Sequence, residues 1–220
     1  LRISKSKLEE ANTSLTRSGI RIRTADVDDA DTLVELASLI DLHLPLEEIP
    51  AALDPMRHAL TDTDDGPLSH RYNHFLIAED SAGIPVGILT VGPPKWMSDP
   101  TIVPKFMRPR IVRRLATIHM LAVRPEHRRR GIARALLRHA EQTFQQAGYA
   151  ALTLRHDRDL TRFYQQLGFT SSSRLSLTLP TQGLRTVHER GWKHSFKVLS
   201  PDAAITIVQG MPTITGVVSA

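Results

Sequence analysis

The residues best suited to chemistry lie between positions 117 and 134: Thr-Ile-His-Met-Leu-Ala-Val-Arg-Pro-Glu-His-Arg-Arg-Arg-Gly-Ile-Ala-Arg. Residues 118–123 are an apolar run that predicts a buried strand. Residues 124–130 are a basic turn, and Gly131 opens a long amphipathic helix. Backbone N–H groups at a helix start lack intrahelical partners, and the helix dipole favours negative charge there. Arg128-Arg129-Arg130-Gly131-Ile132-Ala133 has the form Arg-x-x-Gly-x-Ala. Gly131 allows close approach of a ligand to the backbone, Ala133 leaves space for a phosphate, and the arginines add charge-assisted hydrogen bonds. The ligand this predicts is a phosphate or pyrophosphate. Neither Gly-x-x-x-x-Gly-Lys-[Ser/Thr] nor Gly-x-Gly-x-x-Gly is present. On these six residues alone, a basic turn capping an ordinary helix is an equal alternative.

The surroundings add to the loop. Leu121-Ala122-Val123-Arg124-Pro125-Glu126 leads into it, and Arg162-Phe163-Tyr164-Gln165-Gln166-Leu167-Gly168-Phe169 follows about 35 residues later. These two motifs, in this order, resemble the GNAT superfamily of N-acetyltransferases over roughly residues 20–180. The resemblance implies an α+β fold with a mixed, mostly antiparallel central sheet and helices on both faces. It also implies acetyl-CoA as cosubstrate and direct attack of an amine on its thioester. In that reading Arg128, Arg129, Arg130, Gly131, Ile132, Ala133 and Arg134 hold the CoA pyrophosphate. The backbone of Leu121, Ala122 and Val123 pairs with pantetheine. Asp157 stands seven residues before Tyr164, where many members of the superfamily carry Asn, and is the remaining cofactor contact. Asp is also a residue type that caps helices.

Acyl transfer to an amine needs the thioester held near the amine, a group that takes the ammonium proton, and a donor for the departing thiolate. The resemblance makes Tyr164 the donor; the alternative is a core aromatic, a role that suits Phe163 and Phe169. His119 is the candidate base, since an imidazole accepts a proton near neutrality. Thr117-Ile118-His119-Met120-Leu121-Ala122-Val123 is similar to the His-x-His-x-Leu-Ala-Val strand of aralkylamine N-acetyltransferases, with Thr117 in place of the first His. A histidine satisfied within the sheet is an equal alternative, and His43, Glu47 or Glu48 could supply the base or select a cationic amine. Apart from His70 and His74, the ten histidines form no His-x-x-x-His pair, and no metal is expected.

A small-molecule amine is the leading acceptor, followed closely by a protein N-terminus or lysine. Residues 105–134 hold ten Lys or Arg against Glu126 alone, a local charge of +9 that exceeds the net +5 of the whole chain. CoA explains part of this excess. The stretch 105–114 is either a solvated basic face, the favoured reading, or a surface for nucleic acid, with an aminoacyl-tRNA amine as acceptor. A non-catalytic CoA-binding regulatory protein is the alternative from another class.

The elements that must position these residues follow from periodicity and turn chemistry. A chain of 220 residues with 41% hydrophobic content and no cysteine suits one domain with a sizeable core and excludes disulfides and thiolate sites. The expected organisation is a tail over 1–18, an acetyltransferase domain over 19–200, and an extension over 201–220 carrying an extra hairpin. Residues 20–23 alternate as a strand, and Asp26 or Asp28 can cap a helix bearing Leu33, Leu36, Ala37 and Ile40. Residues 46–60 give a Pro-interrupted helix. Residues 73–79 and 84–91 are strands joined by a turn over 80–83. Residues 93–114 read as a long irregular segment bearing Trp96, Met97, Phe106 and Met107, a binding loop or a packing flap. Gly148 and Gly168 end helices, and strands are expected at 151–154, 175–179, 195–199, 204–208 and 213–218. No apolar run approaches the ~18 residues of a membrane span, and the first residues lack the apolar core of a signal peptide. A cytoplasmic protein with no membrane partner, monomer or homodimer, is the expectation.

Overall fold

The computed structural model describes residues 19–40 and 49–218. The chain divides into two compact units, Leu1–Gly92 with His119–Thr143 and Pro93–Ile118 with Phe144–Ala220.

The first unit begins with strand β1 (Arg21–Thr24), which pairs antiparallel with β2 (His74–Glu79); β2 in turn pairs antiparallel with β3 (Pro85–Gly92). The C-terminal half of β4 (Leu115–Val123) follows β3 in the sheet order. The β2–β3 turn closes because Asp80 Oδ1 accepts the N–H groups of Ala82 and Ile84, each at 2.9 Å, as an Asx turn does. Helix α1 (Ala30–Ala37) is entered through a capping box, with Asp26 accepting from Asp28 N–H and Asp29 accepting from Asp26 N–H. Asp26, not Asp28, thus caps the 3-10 turn Val27–Asp29 that leads into α1, while Asp29 stands at the N-cap of the helix itself without a side-chain capping bond. Helix α2 (Ile49–Thr61) accommodates Pro55 and packs against α1. Leu33, Leu36 and Ala37 of α1 meet Phe75, Ile77, Ile88 and Ala122 of the sheet in one apolar cluster. Gly87 faces the opposite side, where a Cβ would lie 3.3 Å from Ile132 of helix α4 (Ile132–Gln146) and 2.9 Å from Ala122 O. Helices thus cover both faces of these strands, which is why β2 and β3 are almost wholly buried.

Arg23 ties the sheet to the α1 cap. Its guanidinium donates to both Asp29 oxygens, at 2.6 and 2.7 Å, and to Glu79. Burial, the largest single influence, would raise the Asp29 pKa, but the Arg23 hydrogen bonds, the bond from Asp26 N–H and the charge of Arg23 together hold the carboxyl below its ordinary value.

In the second unit the segment 93–114 is not irregular. It contains 3-10 turns at Lys95–Ser98 and Lys105–Met107 and helix α3 (Arg108–Ile111). Met97, Val103, Met107, Ile111 and Val112 of this Pro-rich stretch are buried, while Phe106 stays 70% exposed. The first four residues of β4 pair in parallel with β5 (Ala151–His156), from Leu115↔Ala151 to Ile118↔Leu154. β5 pairs antiparallel with β9 (Lys193–Val198), and β9 with β6 (Thr170–Ser172). Gly148 and Gly168 both lie at positive φ, and the N–H groups of Tyr149 and Phe169 reach back to Phe144 O and Tyr164 O. Each is a left-handed helix cap of the kind those glycines predict.

A second sheet, with order β10-β11-β7-β8, completes this unit. Strands β10 (Ala204–Val208) and β11 (Met211–Thr215) form a hairpin whose turn residues Gln209 and Gly210 both take positive φ. β11 then pairs in parallel with β7 (Leu175–Leu179), and β7 with β8 (Gly183–Val187). The pattern is α+β and mostly antiparallel. Among the described residues no helix is long and apolar enough to cross a membrane.

Candidate active site

The first unit carries the β4 exit and the basic turn. Along β4, Ile118 and Ala122 are buried, whereas His119 is exposed and Leu121 and Val123 are half-buried. The face bearing His119, Leu121 and Val123 is therefore the accessible one, as strand parity requires. Arg124 does not belong to the turn's free charge. Its guanidinium forks onto Glu35 at 2.8 and 3.1 Å, its Nε donates to Pro85 O at 2.8 Å, and its N–H donates to Val86 O at 2.9 Å. This anchor fixes where the turn starts.

Beyond it, Arg128, Arg129 and Arg130 are exposed, and Arg128 Nε donates to Val123 O at 3.1 Å. Arg129 (φ 63) and Gly131 (φ 84) are both left-handed. That conformation costs a non-glycine residue about 1–2 kcal/mol, so the turn holds Arg129 in a strained shape. A Cβ at Gly131 would meet no heavy atom within 4 Å. Helix α4 starts at Ile132 with no acidic residue in its first turn, so nothing on the helix itself neutralises its N-terminus. Ile132 is buried, while Ala133 and Arg134 are half-buried. Exposed guanidinium groups, backbone turned by two left-handed residues and an open helix start are the chemistry an anion would need. A depression lined by Gly19, Ile20, Asp80, Ser81, His127 and Arg130 adjoins them.

In the second unit Tyr164 lies on helix α5 (Thr161–Gln165) and is 6% exposed. Its ring meets Phe163 and Phe169 edge-on, with centroids at 5.1 and 5.9 Å, and His156 at 4.8 Å with a 37° tilt. Burial pushes its phenol up to a pKa of about 12, so it keeps its proton at any physiological pH. His156 carries no signal in the sequence, yet it is fully engaged: Nδ1 donates to Asp157 O at 2.6 Å, and Nε2 lies 2.8 Å from Ser195 Oγ. Burial lowers its pKa, so the ring is neutral, Nε2 accepts from Ser195, and Ser195 accepts from Ser171 at 2.6 Å. Asp157 occupies the N-cap position of the 3-10 turn Arg158–Leu160, but its side chain makes no capping bond. Its carbonyl, accepting from His156 and from Leu160 N–H, holds the turn instead. The exposed carboxylate thereby stays out of the cap.

Thr117, where the aralkylamine pattern has its first His, hydrogen-bonds Thr153 Oγ1 at 2.6 Å, while Thr153 donates to Ala116 O. This position staples β4 to β5. His43, Glu47 and Glu48 lie outside the described residues.

Residues 36–169 match the model of the acetyltransferase (GNAT) family, more than half of the chain. The chain belongs to that family. It is an N-acetyltransferase of the family, whose cosubstrate is acetyl-CoA. The fold of this acetyltransferase is similar to that of a GNAT-family acetyltransferase from Streptococcus pneumoniae, with TM-score 0.53, 15% identity, and 82% of this chain and 99% of that one covered. It is similar also to the spermidine/spermine N-acetyltransferase from Vibrio cholerae, with TM-score 0.55, 15% identity, and 83% and 94% covered. A third similar structure is the ribosomal-protein-S18-alanine N-acetyltransferase from Escherichia coli, with TM-score 0.51, 16% identity, and 82% and 94% covered. At these identities the likeness is one of fold. Comparison with curated proteins finds no match.

Proposed function

We propose that this acetyltransferase moves the acetyl group of acetyl-CoA to a primary amine of a small molecule, by direct attack of the amine on the thioester. The observation that carries the reading is the loop itself, with two left-handed residues, Arg129 and Gly131, at the open start of helix α4. The residues present fit a pyrophosphate: exposed arginines, N–H groups at a helix start, and no side chain over Gly131. Arg128, Arg129 and Arg130 bind the phosphates together with the backbone of Gly131, Ile132, Ala133 and Arg134. The backbone of Leu121, Ala122 and Val123 holds the pantetheine arm, and the free carboxylate of Asp157 is a further contact for it. When bound, acetyl-CoA supplies the activated acyl group. His119 takes the proton of the incoming ammonium, and Tyr164 Oη gives a proton to the departing sulfur. Tyr164 is protonated at neutral pH, as a proton donor must be.

A second reading is favoured by one surface. Along residues 105–113 the side chains of Lys105, Phe106, Pro109, Arg110 and Arg113 are exposed and those of Met107, Ile111 and Val112 are buried. Cations around an exposed ring suit a nucleic acid, and so an aminoacyl-tRNA amine as acceptor.

The test is calorimetry with acetyl-CoA beside thiol release over polyamines, arylalkylamines, peptides with free N-termini and aminoacyl-tRNA. Binding with turnover of a small amine that is lost in Tyr164→Phe supports the proposal. Turnover of aminoacyl-tRNA alone, with binding that weakens steeply with salt, supports the second reading. Failure to bind acetyl-CoA overturns both.

A further inference from the structure

Three side chains of the first unit converge at the end of strand β3. Asn73 follows the 3-10 turn His70–Tyr72, and its own N–H returns to His70 O at 2.7 Å. Its Nδ2 lies 3.0 Å from His70 Nδ1. An amide nitrogen has only hydrogens to offer, so Nδ2 donates and His70 Nδ1 accepts. Anchoring Nδ2 also aims Oδ1. Asn73 stands opposite Gly92, one step beyond the His74↔Val91 pair, and lies over it. A Cβ at Gly92 would run into Asn73 Oδ1, and would lie 2.9 Å from Asn73 Cγ and 3.4 Å from His119 Nε2. Glycine is therefore required at this point, because the carbamoyl oxygen of Asn73 and the Nε2 edge of His119 share the space above its Cα.

We propose that Asn73 is a positioning residue for His119: its oxygen, aimed by His70, accepts from His119 Nε2–H and leaves Nδ1 as the ring atom that takes a proton. The catalytic use of this arrangement rests on the reading of His119 as base. In that step the ammonium N–H bond breaks, an Nδ1–H bond forms, and the amine keeps the electron pair with which it attacks. The oxygen of Asn73 then faces the imidazolium and stabilises it, the part an orienting group plays for any catalytic histidine. The other titratable groups on the surrounding elements are few. Tyr72 and His74 flank Asn73 in the chain, Arg71 and His70 precede them, and His58 on helix α2 meets His70 edge-on at 6.1 Å. Asp62 accepts from His70 N–H at 2.8 Å, and β4 itself carries no titratable residue besides His119.

The orientation is tested without any acceptor, by nitrogen NMR of the histidine rings, with His119→Gln assigning the His119 signals. The expected result is the Nε2–H form of neutral His119 in the native protein. In Asn73→Asp a full negative charge replaces the carbonyl dipole within the ~4–6 Å over which charges shift a pKa, and the His119 titration should move up by about one pH unit. His70→Ala changes only an exposed ring, so the fold persists. It frees the Asn73 amide, and the His119 tautomer preference should weaken. An Nδ1–H tautomer in the native protein, or an unmoved titration in Asn73→Asp, overturns the proposal. The kinetic arm is separate: if His119→Gln turns over the panel amines as the native enzyme does, the base reading fails whatever the NMR shows. If that variant loses activity while Asn73→Asp leaves both titration and rate unchanged, only the role of Asn73 fails.

Discussion

Gly131 and Gly148 form a matched pair that separates ligand binding from backbone strain. Their φ values are 84° and 81°, and a Cβ at either would meet no heavy atom within 4 Å. Alanine at each position therefore costs only the left-handed conformation, about 1 kcal/mol. For a chain of this size that is a fall of roughly 2–4 °C in Tm, the same for both variants. Their effects on acetyl-CoA should diverge. At Gly131 the new methyl group enters the space proposed for the pyrophosphate and disturbs at least one charge-assisted backbone hydrogen bond. Such a bond is worth about 1.5–3 kcal/mol, a loss of roughly 10- to 100-fold in Kd. At Gly148, which caps the far end of the same helix, the affinity should stay within about twofold, because the ~1 kcal/mol of strain is shared by free and bound protein. Thermal melts give the first quantity, and calorimetry with acetyl-CoA at one fixed salt concentration gives the second. Native affinity in Gly131→Ala would refute the loop as the phosphate site. Equal weakening in both variants would mean that strain transmitted along helix α4, and not contact, controls binding.

Three other outcomes follow from the geometry. Tyr164→Phe keeps the ring and its aromatic neighbours, so the melting temperature should hold while kcat falls about 100-fold or more and acetyl-CoA affinity is unchanged; with a phenol pKa of about 12, the native rate should show no alkaline limb from Tyr164 below about pH 11. Burial lowers the pKa values of His139, His156 and His194 from 6.5, so the unfolded chain binds protons that the folded chain refuses. The stability these rings supply is complete above pH 6.5 and is lost as pH falls through that value, at up to about 1.4 kcal/mol per pH unit for each ring; urea unfolding at pH 7.5 and 5.5 measures it, and His139→Leu should flatten the slope. Arg23→Met leaves Asp29 without its cation and Glu79 with only the exposed Arg21, across a largely buried gap, and should lower unfolding stability by about 3 kcal/mol in urea titration, with acetyl-CoA affinity retained.

The loop and its helix are legible because their signals are local. An apolar run, a glycine that must turn left-handed and a period of 3.6 sit within thirty residues, and the structure places β4, the turn and α4 there. The caps at Gly148 and Gly168 and the turn at Asp80 were readable for the same reason: each rests on a bond between residues at most five positions apart. The segment 93–114 was not, because its five prolines mask short helical turns and only burial distinguishes Met97 and Met107 from the exposed Phe106.

What sequence alone determined about this acetyltransferase is thus the kind of chemistry: a basic glycine loop at a helix start, a tyrosine motif after it, and the order of elements that joins them. The tertiary structure decided which side chains are available for that chemistry. It drew Arg124 out of the basic turn onto Glu35, 89 residues away, set His156 beneath Tyr164 and tied it to Ser195, laid Asn73 over Gly92, and built a second sheet through the parallel contact of Ile214 with Leu177. The physical reason is the same in each case. A turn or a cap is satisfied by neighbours in the chain, whereas the partner of a buried polar or charged side chain comes from any element the fold brings near, and nothing in the local pattern names it.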